Sequence, residues 1–353
     1  MPNARASHRV GLVGYGLAGA VFHAPLIATT PGLSLDAIVT RDATRRAQAK
    51  AEHPGARLVE SVDELWELTP KLDLVVVATP NRTHVPIAHA ALEAGIAVVV
   101  DKPFAPTAAE GRALIDEARR RGLLLTVFQN RRWDGDFLTL RRIVSDGALG
   151  ALYRFESRFE RWRPKPKGGW RERSDPREAG GLLYDLGSHL IDQALTLFGA
   201  VDDVYAELDV RRPGVDAEDD VFVALTHRSG VRSRLVMSAV SAQPGPRFRV
   251  LGASAAYVKW GLDPQEDALR GGARPGGADW GAEPPDHWGS LGAADDAHPV
   301  PTEAGAYPTF YTGVAAALAG GPPPVDPNDA VKGLEVIEAA HRSAAERVAI
   351  RLT

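Results

Sequence analysis

The chain contains no cysteine and only two methionines. Disulfides, thiolate zinc sites and a cysteine nucleophile are therefore excluded, and a reducing compartment, the cytoplasm, is the expected location. Nor does one charge dominate: 41 Lys+Arg stand against 45 Asp+Glu, a formal net charge of -4, which provides no footprint for nucleic acid. Also missing is any apolar run near the roughly 18 to 20 residues that cross a bilayer, so no membrane partner is expected. The stretch from Val10 to Phe22, preceded by Arg5, His8 and Arg9, imitates a signal peptide. Its glycines Gly11, Gly14, Gly16 and Gly19 weaken that reading, because each costs a helix about 1 kcal/mol relative to alanine.

What is present is ordinary globular material. With 44% hydrophobic and 24% charged residues over 353 positions, about two domains are expected at roughly 150 residues each. From Arg9 to about Val127, β-branched runs at 10–13, 35–39, 58–59, 74–78, 97–100 and 123–127 alternate with helix-patterned stretches at 18–28, 44–53, 62–68, 85–94 and 108–120. Such alternation predicts an α/β fold, a doubly wound parallel sheet covered by helices on both faces, over residues 1–128. After Asn130 the pattern changes. Helices are expected at 134–145 and 182–198, then period-two strands at 203–210, 221–226, 231–240, 247–251 and 255–260, giving a C-terminal α+β domain over 129–353 with an antiparallel sheet. Glycine and proline crowd 263–305, where a long loop, either a lid or a mobile segment, is expected. Helices near 308–319 and 328–347 close the chain.

The first strand runs into Gly14-Tyr15-Gly16-Leu17-Ala18-Gly19 and then a helix. This is G-x-G-x-x-G in its required context: one glycine for the tight turn, one for approach of a pyrophosphate, one for close helix packing. The helix N-terminus favours phosphate, so Gly14, Gly16, Leu17, Ala18 and Gly19 are expected to bind a dinucleotide. The second strand ends at Val39-Thr40-Arg41. A hydroxyl and a guanidinium suit an adenosine 2'-phosphate, so Thr40 and Arg41 favour NADP(H). NAD(H) remains the alternative if Asp42 lies at the strand end.

Two more strand ends should line the same crevice, because ligands in open α/β sheets sit beyond the carboxyl ends of strands. One carries Thr79, Pro80, Asn81 and His84; the other carries Asp101, Lys102 and Pro103. Lys102 is the candidate charge near a nicotinamide. Further on, Asp185, His189 and Asp192 would share one face of a helix. A carboxylate beside an imidazole is a general acid/base arrangement. Asp185 and His189 could also ligate a metal, but no third ligand stands at motif spacing, so none is expected.

The glycine motif, Phe22-His23-Ala24-Pro25-Leu26, Thr79 to His84, Asp101-Lys102-Pro103, Asn130 to Asp134 and Gly180 to Asp192 together resemble the Gfo/Idh/MocA oxidoreductase family, the family of glucose-fructose oxidoreductase and inositol dehydrogenase. The Phe-His-Ala-Pro run and Tyr257 to Glu266 are similar to its scyllo-inositol dehydrogenase-like branch. The resemblance spans nearly the whole chain. It implies a Rossmann domain, a second domain whose open, mostly antiparallel sheet commonly mediates homo-oligomerisation, and hydride transfer between NAD(P) and a hydroxyl carbon of a sugar or polyol. By resemblance Lys102 is the lysine of a Glu-Lys-Pro motif, Asp185 orients substrate and His189 is the acid/base. Asn81 and the 101–103 turn would flank the nicotinamide riboside, and Arg131 would reach the substrate. Asp101 departs from the glutamate of many members but keeps the carboxylate on a shorter arm. Trp162, Arg163 and Trp170, with Arg171, are candidates for a sugar platform. Two other readings stay open: a dinucleotide or sugar sensor without catalysis, and an NAD-dependent glycosidase.

Overall fold

A computed structural model describes residues 7–68, 71–166, 168–169 and 172–352. Its first half alternates β1 (His8–Val13), α1 (Ala24–Thr29), β2 (Leu33–Val39), α2 (Ala43–Glu52), β3 (Arg57–Val59), α3 (Val62–Trp66), β4 (Leu74–Val77), α4 (His84–Glu93), β5 (Ala97–Asp101), α5 (Ala108–Arg121) and β6 (Leu125–Phe128). The strands form a parallel sheet in the order β3-β2-β1-β4-β5-β6. Strand order reverses between β1 and β4, which opens a crevice beyond their carboxyl ends.

The apolar alternation of these strands sorts side chains to two faces. Val10, Leu12, Leu74, Val76, Ala97 and Val99 join one cluster, and Val13, Val75, Val77, Val98 and Val100 join the other. Leu74 to Val77 have no exposed surface, and each buried side chain of this kind contributes about 1.5–3 kcal/mol. Burial on both sides explains why these strands are apolar throughout instead of alternating with polar residues.

The second half comprises α6 (Gly135–Ser145), β7 (Leu152–Glu160), α7 (Ser188–Phe198), β8 (Val201–Asp209), β9 (Asp220–His227), β10 (Arg232–Ser238), β11 (Phe248–Gly252), β12 (Ala256–Lys259), α8 (Gln265–Arg270), β13 (Gly289–Gly292), β14 (His298–Val300), α9 (Pro308–Leu318), α10 (Pro327–Glu346) and β15 (Ile350–Arg351). Its sheet runs β14-β13-β12-β11-β7-β10-β9-β8-β15. Every pairing is antiparallel except β7 with β10. Along β9, Val221, Val223, Leu225 and His227 are buried, while the residues between them are half-buried. One face of the sheet is thus packed, the other less covered.

The closing helices return to the first sheet. Phe310, Tyr311 and Val325 share a core with α1 and the first-sheet strands, Thr126 donates to the Val325 carbonyl at 2.7 Å, and α10 packs on α5 as well as on α7 and β8.

Three local features differ from the sequence reading. Strand β7 lies at the heart of the second sheet, where no strand was expected. Residues 263–305 are not a featureless loop: they contain α8, β13 and β14, which extend the sheet edge. This segment is tied down by Lys259 Nζ on Glu283 Oε1 at 2.8 Å, with Lys259 fully buried, and by Trp280 Nε1 on Gln265 Oε1 at 2.9 Å. Thirdly, the helix expected over 182–198 begins as a π-helical stretch, Leu183–Gly187, before α7. No helix among the described residues is long and apolar enough to cross a membrane.

Candidate active site

The glycine loop is shaped by contact distances. Gly14 has φ +99°, which L side chains rarely adopt, and a Cβ there would lie 2.5 Å from the Ala78 carbonyl oxygen. A Cβ on Gly19 would lie 2.0 Å from the Gly14 carbonyl oxygen, so the helix start can approach β1 only as glycine. At Gly16 the opposite holds. A Cβ would meet nothing closer than Arg45 Nη1 at 3.9 Å, leaving open space in front of the backbone where a pyrophosphate would arrive. Leu17 is 48% exposed, and helical residues run from Ala18 onward. These residues fit a dinucleotide.

At the end of β2, Thr40 is buried and Arg41 is exposed, its Nε donating to the Glu60 carbonyl at 3.0 Å. Asp42 caps α2, accepting from the Arg45 backbone N–H at 2.9 Å. Arg46 Nη1 donates to the Thr40 carbonyl at 3.1 Å. Arg41, Arg45 and Arg46 thus cluster near the end of β2. Arg45 and Arg46 escaped the sequence reading, although their placement in the first turn after Asp42 was a usable signal.

His84 is fully buried, its two ring nitrogens each 2.9 Å from the carbonyls of Thr79 and Pro103. It therefore ties the two strand-end loops together from below instead of facing the crevice. Burial lowers its pKa, against the opposing influence of Asp101 and the carbonyls. Asn81 is also turned to structural use: its amide donates to the carbonyls of Glu178 and Ala179 at 3.0 and 3.1 Å, linking the first domain to the second.

Beneath the 101–103 turn, Asp101 Oδ1 accepts the Lys102 backbone N–H at 2.8 Å. His23 Nε2 stands 3.8 Å from the same carboxylate, and its Nδ1 is 2.6 Å from Tyr311 Oη. Burial alone would raise the Asp101 pKa, but His23, Lys102 and His84 together hold it below the usual value.

Lys102 reaches across to the second domain. Its Nζ donates to the Asp185 carbonyl at 2.6 Å and to Asp185 Oδ1 at 3.0 Å, with both side chains partly exposed. The π-helical winding of 183–187 departs from the i, i+4 register expected for Asp185 and His189, and the Asp185 carboxylate meets Lys102. Asp192 does not join them: it is buried against Arg132, with contacts of 2.7 and 2.8 Å. His189 opens α7 and is buried, with no hydrogen-bond partner for Nδ1 among the described residues. Burial, then the positive charges of Lys102, Arg131, Arg247 and Arg161, push its pKa well below 6.5, so the imidazole is neutral at pH 7.

Arg131 is buried in an ion-pair cluster. Nη2 contacts Glu266 at 2.6 Å, Nη1 contacts Asp134 at 3.3 Å, and the guanidinium lies 4.6 Å over the Phe159 ring. Its charge is within range of His189. Trp162 is 57% exposed and bridges Val240 by its backbone, and Arg163 is exposed, its backbone N–H bonded to Ala239 at 2.7 Å. Trp170 and Arg171 lie outside the described residues. Arg161, unremarked in the sequence, lies 5.0 Å from the centroid of the same Phe159 ring.

Residues 8–129 match the model of an oxidoreductase family with an NAD-binding Rossmann fold, and residues 137–258 match the GFO/IDH/MocA C-terminal domain. The chain is 42% identical to the uncharacterized oxidoreductase YdgJ of Escherichia coli, over 98% of each chain. It is 35% identical to the scyllo-inositol 2-dehydrogenase (NADP(+)) IolW of Bacillus subtilis, covering 98% of this chain and 96% of that one. Among solved structures, the Bacillus subtilis oxidoreductase yvaA superposes with a TM-score of 0.92 at 34% identity, covering 98% of this chain and 99% of that one.

Proposed function

The chain belongs to the GFO/IDH/MocA family of NAD(P)-dependent oxidoreductases, and from that premise we propose that it oxidises or reduces a hydroxyl carbon of a cyclic polyol, aldose or related carbohydrate at the Lys102, Asp185, His189 site. The observation that carries the proposal is the meeting of Lys102 and Asp185 across the two domains, beside a neutral, buried His189. Relatives that act on sugars and polyols support the substrate class.

The bound nicotinamide supplies the hydride acceptor or donor. Everything else falls to the chain. His189, neutral at pH 7, takes the proton of the substrate hydroxyl in the oxidative direction and returns it in the reductive one; with Nδ1 buried, Nε2 is the nitrogen that serves. Lys102 stabilises negative charge developing on that oxygen. Asp185 holds the lysine amine in place and orients a substrate hydroxyl. Asn81, Asp101 and the backbone of Thr79, Pro80 and Pro103 would border the nicotinamide riboside. The three arginines around Thr40 and the engaged state of Asp42 favour NADP(H) over NAD(H). Arg131 shapes the substrate pocket from within its ion pairs.

Placement in the cytoplasm and assembly into a homo-oligomer complete the proposal, and light scattering on the purified protein checks the latter. A cofactor-reduction screen over inositols, aldoses and uronates tests the activity: reduction of NADP with at least one of them is expected, and no turnover in either direction with any contradicts it.

A further inference from the structure

Arg161 follows directly on β7 and is fixed by its backbone, which donates to the Ser238 carbonyl at 2.8 Å and accepts from Ser241 at 3.1 Å. Its side chain is half-buried and its guanidinium lies 5.0 Å from the centroid of the fully buried Phe159 ring. Neighbouring arginines in this cluster are matched by carboxylates: Arg131 by Asp134 and Glu266, Arg247 by Asp136 at 3.7 Å. No carboxylate of the described residues forms an ion pair with Arg161 within 4 Å. Asp185 and Glu266 are near enough to be felt, but they are engaged with Lys102 and Arg131.

A half-buried guanidinium loses hydration and regains little of it without an anion. The same cation contributes to the positive field at His189. Arg161 shares the Phe159 ring with Arg131, whose carbonyl accepts from Gln193 Nε2 at 2.9 Å on the helix that carries His189, and a planar five-donor fork in that cluster is matched by a carboxylate, which it can hold with two parallel hydrogen bonds.

We propose that Arg161 is a specificity-determining residue that takes a carboxylate carried by the substrate, so that the preferred ligands are sugar acids rather than neutral sugars or polyols. The inference rests on the location of the substrate site at Lys102, Asp185 and His189. The Arg161 guanidinium rests against the Phe159 ring, and Arg163, two residues on and exposed, adds positive charge near it.

The test is calorimetric titration of the NADP-loaded protein with D-glucuronate and D-galacturonate against D-glucose and D-galactose at one ionic strength. At least one uronate should bind at least 10-fold more tightly than its neutral counterpart. Arg161→Gln should abolish that difference while leaving NADP affinity unchanged, and Arg161→Lys should restore part of it; a thermal melt confirms that each variant is folded. Equal or weaker binding of both uronates, absence of measurable uronate binding, or a preference that survives in Arg161→Gln overturns the inference. Arg161-dependent uronate binding without any cofactor turnover would retain it and reject the dehydrogenase reading. Turnover confined to neutral sugars would do the reverse.

Discussion

Lys102 Nζ and Asp185 Oδ1 stand 3.0 Å apart, and the same Nζ donates to the Asp185 carbonyl at 2.6 Å. A lysine at the carboxyl end of a first-sheet strand is thereby joined to the π-helical turn that precedes His189. Neither domain alone contains the proposed site, whose two halves this contact joins.

The pH dependence follows from His189. Its folded-state pKa lies well below 6.5, first because of burial and then because of the surrounding cations. In the oxidative direction, where His189 is the base, turnover should be level from about pH 6.5 upward through neutrality and fall only when the imidazole protonates at lower pH. Stability shifts in the same sense. Below about pH 6.5 the unfolded chain binds a proton that folded His189 refuses, so stability is lost as pH falls. His189→Ala should remove the acidic limb from the pH–rate profile and lower turnover; an unchanged limb in the variant identifies another acid/base.

Cofactor preference is expected to follow the arginines at the end of β2. NADP(H) should bind at least ~10-fold more tightly than NAD(H), a margin of about 1.4 kcal/mol. Arg41→Asp should reverse the order by repelling the phosphate and offering a carboxylate to the ribose diol, and Arg45→Ala should narrow the gap. Fluorescence-quenching titrations of both cofactors decide it, and tighter NADH binding by the unmodified protein contradicts this assignment.

Gly19→Ala should cost about 1–3 kcal/mol of stability, or a comparable loss of dinucleotide affinity, because the added methyl would sit 2.0 Å from the Gly14 carbonyl oxygen. Gly16→Ala meets no such obstacle in the protein. Its effect should appear in cofactor binding alone, measured as a raised Kd with an unaltered melting temperature.

Glu283→Gln tests whether the glycine-rich segment is an integral part of the second domain. The change leaves Lys259, with no exposed surface, facing an uncharged partner. Breaking a buried pair typically costs about 3–5 kcal/mol, so a large drop in denaturation midpoint is expected. A drop within experimental error would mean that 263–305 unfolds independently of the sheet.

Much of this architecture was legible because the first domain obeys simple rules. Val75 to Val77 and Val98 to Val100 are apolar on both faces, and the glycine spacing has a geometric cause that the distances at Gly14 and Gly19 make explicit. Strand β7 was not legible: Phe155, Ser157 and Phe159 do alternate, but Arg154, Glu156, Arg158 and Glu160 stand between them and suggest a solvated segment. Glu156 is in fact 5% exposed, matched by Arg158 and Arg249. Pairing of charges across strands is a property of the assembled sheet. The 263–305 segment was missed for a related reason, since its strands are three or four residues long and gain their hydrogen bonds from β12 and from each other. The candidates Lys102, Asp185 and His189 stood out by position and resemblance. Their mutual geometry did not, because a π-helical turn changes the register that an α-helix would impose. Arg161 carries no local signal at all; only the fold shows that it stacks on Phe159 and has no ion-pair partner among the described residues.

The central claim is that Lys102 acts on the reacting oxygen and not only as a strut between domains. Turnover by Lys102→Met, on whichever carbohydrate the screen identifies, tests it most directly when measured beside cofactor affinity and thermal stability. A donor aimed at developing charge is typically worth 10² to 10³ in rate. The account predicts a loss of roughly 100-fold or more in kcat with NADP(H) binding retained; turnover close to that of the unmodified protein would contradict it.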